Sequence, residues 1–419
     1  MNSSPVVALI VLGLVVTSVV LWRRRRGSSK RDKAVVATPA IPKFRVVTLG
    51  LQGSGKTLLL TSVYRRLQVP GNRGYFLRVP YVQLIELNKW YREVASTDDW
   101  PRGTTRGEMR EFEFSVLTGI GGEAKPILDI GYLEYPGELL TDPDAPGSTA
   151  QQSLLTSVAQ ADAVVAIIDG LRVLQTYQGD RRGRSILQTT LDAMVHCLLS
   201  TRAPVVFVIT KWDVLDQLHA DENTRLQLVH TLLMGIDGFR DLVNVHSARR
   251  IVRLIPVTAV GHDFAELRNG MIHKRPDGHF QPANVEVALA AVVPDVLNQV
   301  ELSLDYATRQ AIMTEMHRQT RMSPAEAVRS LSAFLADKAA RVLASSIGGG
   351  LIGEAGVALF MDARARPDTH YQRRMAALSE ADRQAEEIVQ ARRRVVQAMQ
   401  AQVTMLEAKL PASRLRSEH

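Results

Sequence analysis

Phe44-Arg-Val-Val-Thr-Leu49 runs without a break into Gly50-Leu-Gln-Gly-Ser-Gly55-Lys56-Thr57, and Leu58-Leu-Leu-Thr-Ser-Val63 follows. A short apolar run rich in β-branched residues predicts a buried strand, and the leucines after Thr57 predict a helix. Between them lies a full match to G-x-x-x-x-G-K-[ST]. Glycines at Gly50, Gly53 and Gly55 let successive backbone N–H groups turn inward, and the helix start adds its positive dipole end. Gln52 and Ser54 complete the loop. In this chemistry Lys56 reaches the outer phosphates of a nucleotide and the Thr57 hydroxyl binds Mg²⁺. No other stretch constrains the fold so tightly.

A second buried strand, Val205-Val-Phe-Val-Ile-Thr210, ends in Lys211-Trp212-Asp213. A carboxylate at Asp213 accepts two hydrogen bonds from the N1 and N2 donors of guanine, while the apolar stem of Lys211 lies over the base. Adenine offers no such donor pair on that edge. A third segment, Arg253-Leu-Ile-Pro-Val-Thr258-Ala259-Val260-Gly261, is another strand ending in small residues.

Strands are expected at about 44–49, 111–117, 126–134, 163–169, 205–210 and 253–257, joined by helices. Ala163-Val-Val-Ala-Ile-Ile-Asp169 has the continuous apolar character of a strand covered on both faces, and Glu111-Phe-Glu-Phe-Ser-Val-Leu117 alternates like a half-buried edge strand. Together with the motifs, this pattern resembles the TRAFAC class of P-loop GTPases, and most closely its bacterial double-GTPase (DO-GTPase-like) branch. The resemblance covers residues 44–300. The expected fold class is therefore α/β, a P-loop GTPase with a Ras-like G domain, preceded by a transmembrane helix and followed by an α-helical region. The layout is also similar to the beta subunit of the signal-recognition-particle receptor, although the long C-terminal region fits that poorly.

The resemblance implies further roles. Thr258, Ala259 and Val260 would form the loop that backs the guanine O6 through a backbone N–H, and Thr210 precedes the Lys211/Asp213 pair. The strand ending Leu133-Glu134-Tyr-Pro-Gly137-Glu138 occupies the slot that reads D-x-x-G in G domains, where the acid holds Mg²⁺ through water and the glycine N–H meets the γ-phosphate. Glu134 takes that place in preference to Asp129, which lacks a glycine at the right offset. Glu138 follows in the position where many small GTPases carry a water-positioning glutamine; a carboxylate there is repelled by the γ-phosphate, so Glu138 is either catalytic or a solvated acid. Trp100-Pro-Arg102-Gly-Thr104-Thr105 is the expected loop closing over Mg²⁺, with Thr104 ahead of Thr105. Arg102 stands near the place of a built-in arginine finger, against the alternative of a solvated loop arginine. The branch also implies action in multi-protein systems, defence included, on the resemblance alone.

Lys+Arg 51 against Asp+Glu 43 gives a net charge of +8, but +6 of it lies in residues 1–33. That excess follows Val6–Trp22, an uncharged run of seventeen residues, long enough as a helix for about 26 Å. Charges behind the apolar run, not before it, predict an uncleaved anchor with everything after Trp22 cytoplasmic. The expected location is the plasma (inner) membrane, single-pass, with 23–43 as a basic juxtamembrane linker. The nearly neutral remainder argues against a nucleic-acid partner. With Cys197 as its single cysteine, the chain has neither a disulfide framework nor a paired-cysteine zinc site.

Beyond residue 285 strands are expected to cease. Ser323-Pro-Ala-Glu326 reads as a capping box, and Ser345–Met361 as a glycine-rich packing segment or hinge. From Tyr371 to Leu410 the chain is helical, with Val389, Val396, Met399, Val403, Leu406 and Leu410 at 3-4 spacing and Arg392 interrupting the seam. Either a short coiled coil that docks an effector or a second copy, or a helix packed on its own domain, satisfies that pattern. The functional expectation is a membrane-anchored, Mg²⁺-dependent protein that binds GTP/GDP and hydrolyses GTP to GDP and phosphate as a nucleotide-state switch. The alternative is a GTP-bound scaffold that does not turn over.

Overall fold

The apolar runs become strands within a residue or three of their expected limits. In the computed structural model the chain divides into two units, Met1–Thr38 and Pro39–His419. The structure describes residues 41–96, 98–103, 109–140, 148–199, 201–248, 251–297 and 369–415. Within them run β1 (Lys43–Leu49), α1 (Lys56–Leu67), β2 (Phe76–Arg78), α2 (Tyr81–Ser96), β3 (Arg110–Ile120), β4 (Glu123–Glu134), α3 (Thr149–Ala159), β5 (Ala163–Asp169), α4 (Gly170–Tyr177), α5 (Arg181–Leu198) and β6 (Val205–Thr210). Next come α6 (Glu222–Met234), α7 (Asp237–Ser247), β7 (Val252–Pro256), β8 (Ala265–Arg268), β9 (Met271–Lys274), α8 (Val285–Ala290), α9 (Thr369–Lys409) and β10 (Arg414–Leu415).

Eight strands form one sheet in the order β10-β7-β6-β5-β1-β4-β3-β2. From β7 through β4 neighbouring strands are parallel, while β3, β2 and β10 run antiparallel to their neighbours. β5 and β6 are buried along nearly their whole length, which is why they read as unbroken Val/Ile runs. Parallel pairing places the C-terminal ends of β1, β5, β6 and β7 on one edge, where the motif loops emerge. α1, α8 and α9 pack together, as do α5, α4 and α7.

Four strands depart from the sequence expectation. β2 pairs with β3, Phe76 opposite Leu117, so β3 is an edge strand over part of its length only. β8 and β9 form a separate antiparallel hairpin. β10 pairs with the free edge of β7, Arg414 opposite Arg253, so strands do not cease after residue 285. Two or three residues are too few for a period to show.

The C-terminal helix packs on its own domain. Val395, Met399, Val403, Leu406 and Leu410 belong to the main apolar core and Val396 packs against it, Val389 is buried, and the Arg392 that interrupts the seam donates from Nε to the Ile127 carbonyl at 3.3 Å. Arg253 of β7 donates to Asp295 and to Glu407 of α9, each at 2.8 Å. Tyr75, fully buried, shares a hydrogen bond with Gln402. Burial raises the Tyr75 hydroxyl to about 12, the Gln402 hydrogen bond pulling the other way.

The expected transmembrane element is corrected. Among the described residues no helix is long and apolar enough to cross a membrane, so neither a membrane-spanning fold nor a single-pass location is supported. α9 has the length at 41 residues, but Arg, Glu and Gln recur along it. Val6–Trp22, the basic residues that follow, the 323–326 capping box and the glycine-rich 345–361 segment lie outside the described residues.

Candidate functional site

The loop between β1 and α1 adopts the conformation that its glycines permit. Gly53 and Gly55 have φ of 75° and 91°, a left-handed backbone that a Cβ would strain. α1 then starts at Lys56 with no side chain capping its first turn and no acid in it, so its leading N–H groups are available to an anion. Lys56 and Thr57 are both buried. The Lys56 ammonium folds back over the loop and donates to the Gly50 and Leu51 carbonyls, each at 2.9 Å. Burial lowers its proton affinity below the ordinary 10.5, while the Glu134 carboxylate works against that.

Sheet register sets the two candidate acids of β4 at opposite ends of β1. Asp129 lies opposite Lys43 at the far end of β1 and accepts from Ser115 Oγ at 2.7 Å, whereas Glu134 lies opposite Thr48, beside the loop. Glu134 is fully buried, and its Oε1 accepts from Thr57 Oγ1 at 3.1 Å. Gly137 opens the turn Gly137–Leu140 and presses directly on the loop: an added Cβ would stand 2.1 Å from the Gln52 nitrogen. Glu138, next in that turn, is partly exposed and close enough for its charge to act on Lys56.

The second motif meets the first across the strand ends. Thr210 Oγ1 donates to the Ser54 carbonyl at 2.6 Å, tying β6 to the loop. Lys211 has φ of 53° and extends its ammonium to Asp169 at the end of β5, 2.8 Å away. The other Asp169 oxygen accepts from Leu171 N at 3.0 Å. Asp213 Oδ1 is buried with no hydrogen-bond partner among the described residues. Burial raises the Asp213 carboxyl above its ordinary 3.8, and a hydrogen bond from Thr258 pulls it partway back. The loop after β7 is braced from both sides. Thr258 pairs with Ala283, its Oγ1 accepts from Gly261 N at 3.0 Å, and Ser62 of α1 donates to the Ala259 carbonyl at 2.6 Å.

These pieces enclose one cavity of about 500 Å³, lined by Gln52, Gly53, Gly55, Lys56, Thr57, Glu134, Thr210, Lys211, Asp213, Ala259 and Val260. Gly50, Ser54 and Thr258 are not among the lining residues, though the Gly50 and Ser54 carbonyls accept from Lys56 and Thr210, which are. Arg102 is exposed and is not among the lining residues, although Pro101 and Gly103 on either side are. Thr104 and Thr105 lie outside the described residues.

Sequence reading missed part of the wall. Trp100, Leu171 and Arg172 face the cavity, as do Ala265, Gly270, Met271 and Ile272 of the β8–β9 hairpin. The hairpin carried a legible signal. Asn269-Gly270 sits between its strands, with φ of 50° and 77°, the pair favoured in tight primed turns.

An uncapped helix start and a buried lysine suit a phosphate chain, and a carboxylate with one buried oxygen lacking a partner suits N–H donors. Thr57 Oγ1 and Glu134 Oε1 are hard oxygens of the kind that Mg²⁺ prefers. Among the described residues no group of three or more His, Cys, Asp or Glu side chains could hold a metal.

No protein-family model matches the chain, and no curated protein matches it. Among solved structures it is similar to sup35 complexed with GDP, at 14% identity and a TM-score of 0.29, over 55% of this chain and 40% of that one. The chain thus spans well under half the length of that neighbour.

Proposed function

We propose that this protein binds guanine nucleotides with Mg²⁺ and hydrolyses GTP to GDP and phosphate, its nucleotide state acting as a switch, and that its α/β domain is a TRAFAC-type G domain. The observation that carries the reading is the meeting of three sequence-distant elements on one cavity: the 50–57 loop, Glu134, and the Asp213 carboxylate with its buried, unpartnered oxygen.

Each residue then has a task. Loop N–H groups and the start of α1 hold the phosphates, and Lys56 exchanges its two carbonyl partners for phosphate oxygens, regaining an anionic environment in a buried place. Asp213 accepts from guanine N1 and N2, Lys211 covers the base while Asp169 fixes its ammonium, and the Ala259–Val260 backbone completes the base contact. Thr57 and Glu134 would hold Mg²⁺, which when bound would supply charge neutralisation at the outer phosphates. Gly137 lies against the loop where an N–H can meet the terminal phosphate. The chain contributes positioning and electrostatics, with no covalent intermediate.

Glu138 supports a second reading, a GTP-bound scaffold without turnover. A carboxylate whose charge reaches Lys56 also reaches the terminal phosphate, and repulsion there hinders an attacking water. One experiment separates these. Purified full-length chain is analysed for co-purifying nucleotide and for phosphate release from GTP and from ATP, beside Lys56→Ala. GTP-specific release lost in Lys56→Ala supports the hydrolase; guanine nucleotide retained without release supports the scaffold. ATP in the site refutes the base assignment.

A further inference from the structure

The β8–β9 hairpin starts four residues after Gly261 and belongs to none of the nucleotide motifs, yet it forms one side of the cavity. A two-stranded hairpin is marginal alone, and this one is held firmly. Phe264 and Ala265 join Val94 and Val260 in a second small core, with Leu58, Trp100 and Ile272 packed on it. Trp100 Nε1 donates to the Ile272 carbonyl at 3.2 Å. The Lys274 ammonium caps the end of α2, donating to the carbonyls of Glu93, Val94 and Asp99 at 2.8, 2.9 and 2.5 Å, and lies 4.8 Å from the Trp100 ring centre.

The place of this wall fixes what it meets. The base-reading end of the cavity is Asp213 with Ala259 and Val260, and the phosphate end is Gly53 to Thr57. Leu58 follows Thr57 on α1, and Val260 closes the base loop; the small core that anchors the hairpin touches both. The hairpin is thus anchored beside both ends of the cavity, on the side where the sugar of a bound nucleotide would lie. Met271 is 61% exposed although it lines the cavity. It is a large, flexible apolar side chain without a partner on that side, suited to shape itself to a ligand.

We propose that Met271 and Ile272 are nucleotide-contacting residues that cover the sugar side of bound GDP or GTP and slow its release, with Lys274 as the positioning residue that holds the hairpin in place. This rests on the guanine-nucleotide reading above.

Release of tritiated GDP from the full-length chain tests it, measured by filter binding after a chase with unlabelled GDP. The variants are Met271→Ala, which alters an exposed side chain, and Lys274→Met, which keeps the apolar stem and removes the ammonium. Both are expected to release GDP about tenfold faster, equal to 1.4 kcal/mol, with association changed less. In the double variant the two effects combine to less than their product, since Lys274 acts through the hairpin. Retention of GDP by the parent chain but not by Lys56→Ala, with Met271→Ala releasing at the parent rate, overturns the hairpin's role and leaves the nucleotide site standing. A parent chain that binds no GDP overturns both. Should Lys274→Met unfold, Met271→Ala decides alone.

Discussion

Asp213→Asn changes one atom at the centre of the base assignment. The Asp213 carboxyl is desolvated and its Oδ1 lacks a partner, so its ionised form carries a cost in the free protein that guanine would relieve. Bound guanine gives it two charge-assisted hydrogen bonds, worth about 1.5–3 kcal/mol each. Asparagine keeps one neutral acceptor, worth about 1 kcal/mol, and turns an –NH₂ donor toward the other guanine donor. The net loss is about 3 kcal/mol, or roughly 150-fold in Kd for GDP. Xanthine carries a C2 carbonyl where guanine has its amine, so the asparagine donor meets an acceptor and the variant is expected to prefer XDP. The unliganded variant is expected to unfold at an equal or higher temperature, because a buried charge has gone. Calorimetric titration of parent and variant with GDP and XDP, beside thermal unfolding without ligand, measures all three. GDP affinity within about threefold of the parent, or no gain for XDP, refutes the assignment of Asp213 to the base.

The same carboxylate sets a pH dependence. Its raised pKa means that acidification protonates Asp213 at a pH above the ordinary 3.8, so GDP affinity falls with pH from there downward. The contribution of this group to the stability of the free protein runs the other way, being present at low pH and lost as pH rises through the folded-state value; titrations and unfolding curves across the acid range read both. Gly137→Ala places a methyl 2.1 Å from the Gln52 nitrogen and 2.2 Å from the Leu51 carbonyl carbon, and backbone on the receiving side cannot swing away. Loss of measurable nucleotide binding with a folded far-ultraviolet spectrum is the expected result. Arg253→Met removes two hydrogen bonds of 2.8 Å and leaves Asp295 and Glu407 partly buried. Since both acids keep some solvent, the cost is expected at about 2–3 kcal/mol, read by denaturant unfolding.

Where the sequence was legible, the reason was periodicity or contiguity. β5 and β6 are covered on both faces, so their composition alone marks them, and the 50–57 loop gathers most of its chemistry into eight consecutive residues. Glu134 was preferred to Asp129 from the offset of Gly137, and register sets Glu134 opposite Thr48, beside the loop. What stayed hidden depended on pairing at a distance. Asp169 reaches Lys211 because β5 and β6 align Asp169 with Thr210, a register that neither strand announces. Met271 and Ile272 line the cavity from a hairpin whose Lys274 donates to the carbonyls of Glu93, Val94 and Asp99, and backbone acceptors leave no mark on side-chain patterns. The 3-4 spacing of α9 showed an apolar stripe but could not name the surface it covers, since a partner and the chain's own sheet ask for the same residues.

That helix also imposes an order on how the protein is made. Every lining residue of the cavity precedes position 273, so the cavity's lining leaves the ribosome before α9. Part of the fold's support follows: the core residues from Ala391 to Leu410 and the strand that covers the edge of β7 are translated after it. Until they emerge, the surface around Ile127 and the outer edge of β7 stand open to water, an apolar face beside an unpaired strand. A nascent chain in that state depends on a holding chaperone, and a ligand that binds early offers it a second means of staying native. Arrested chains ending before residue 389 are thus expected to be both site-competent and aggregation-prone, a combination that the finished fold conceals.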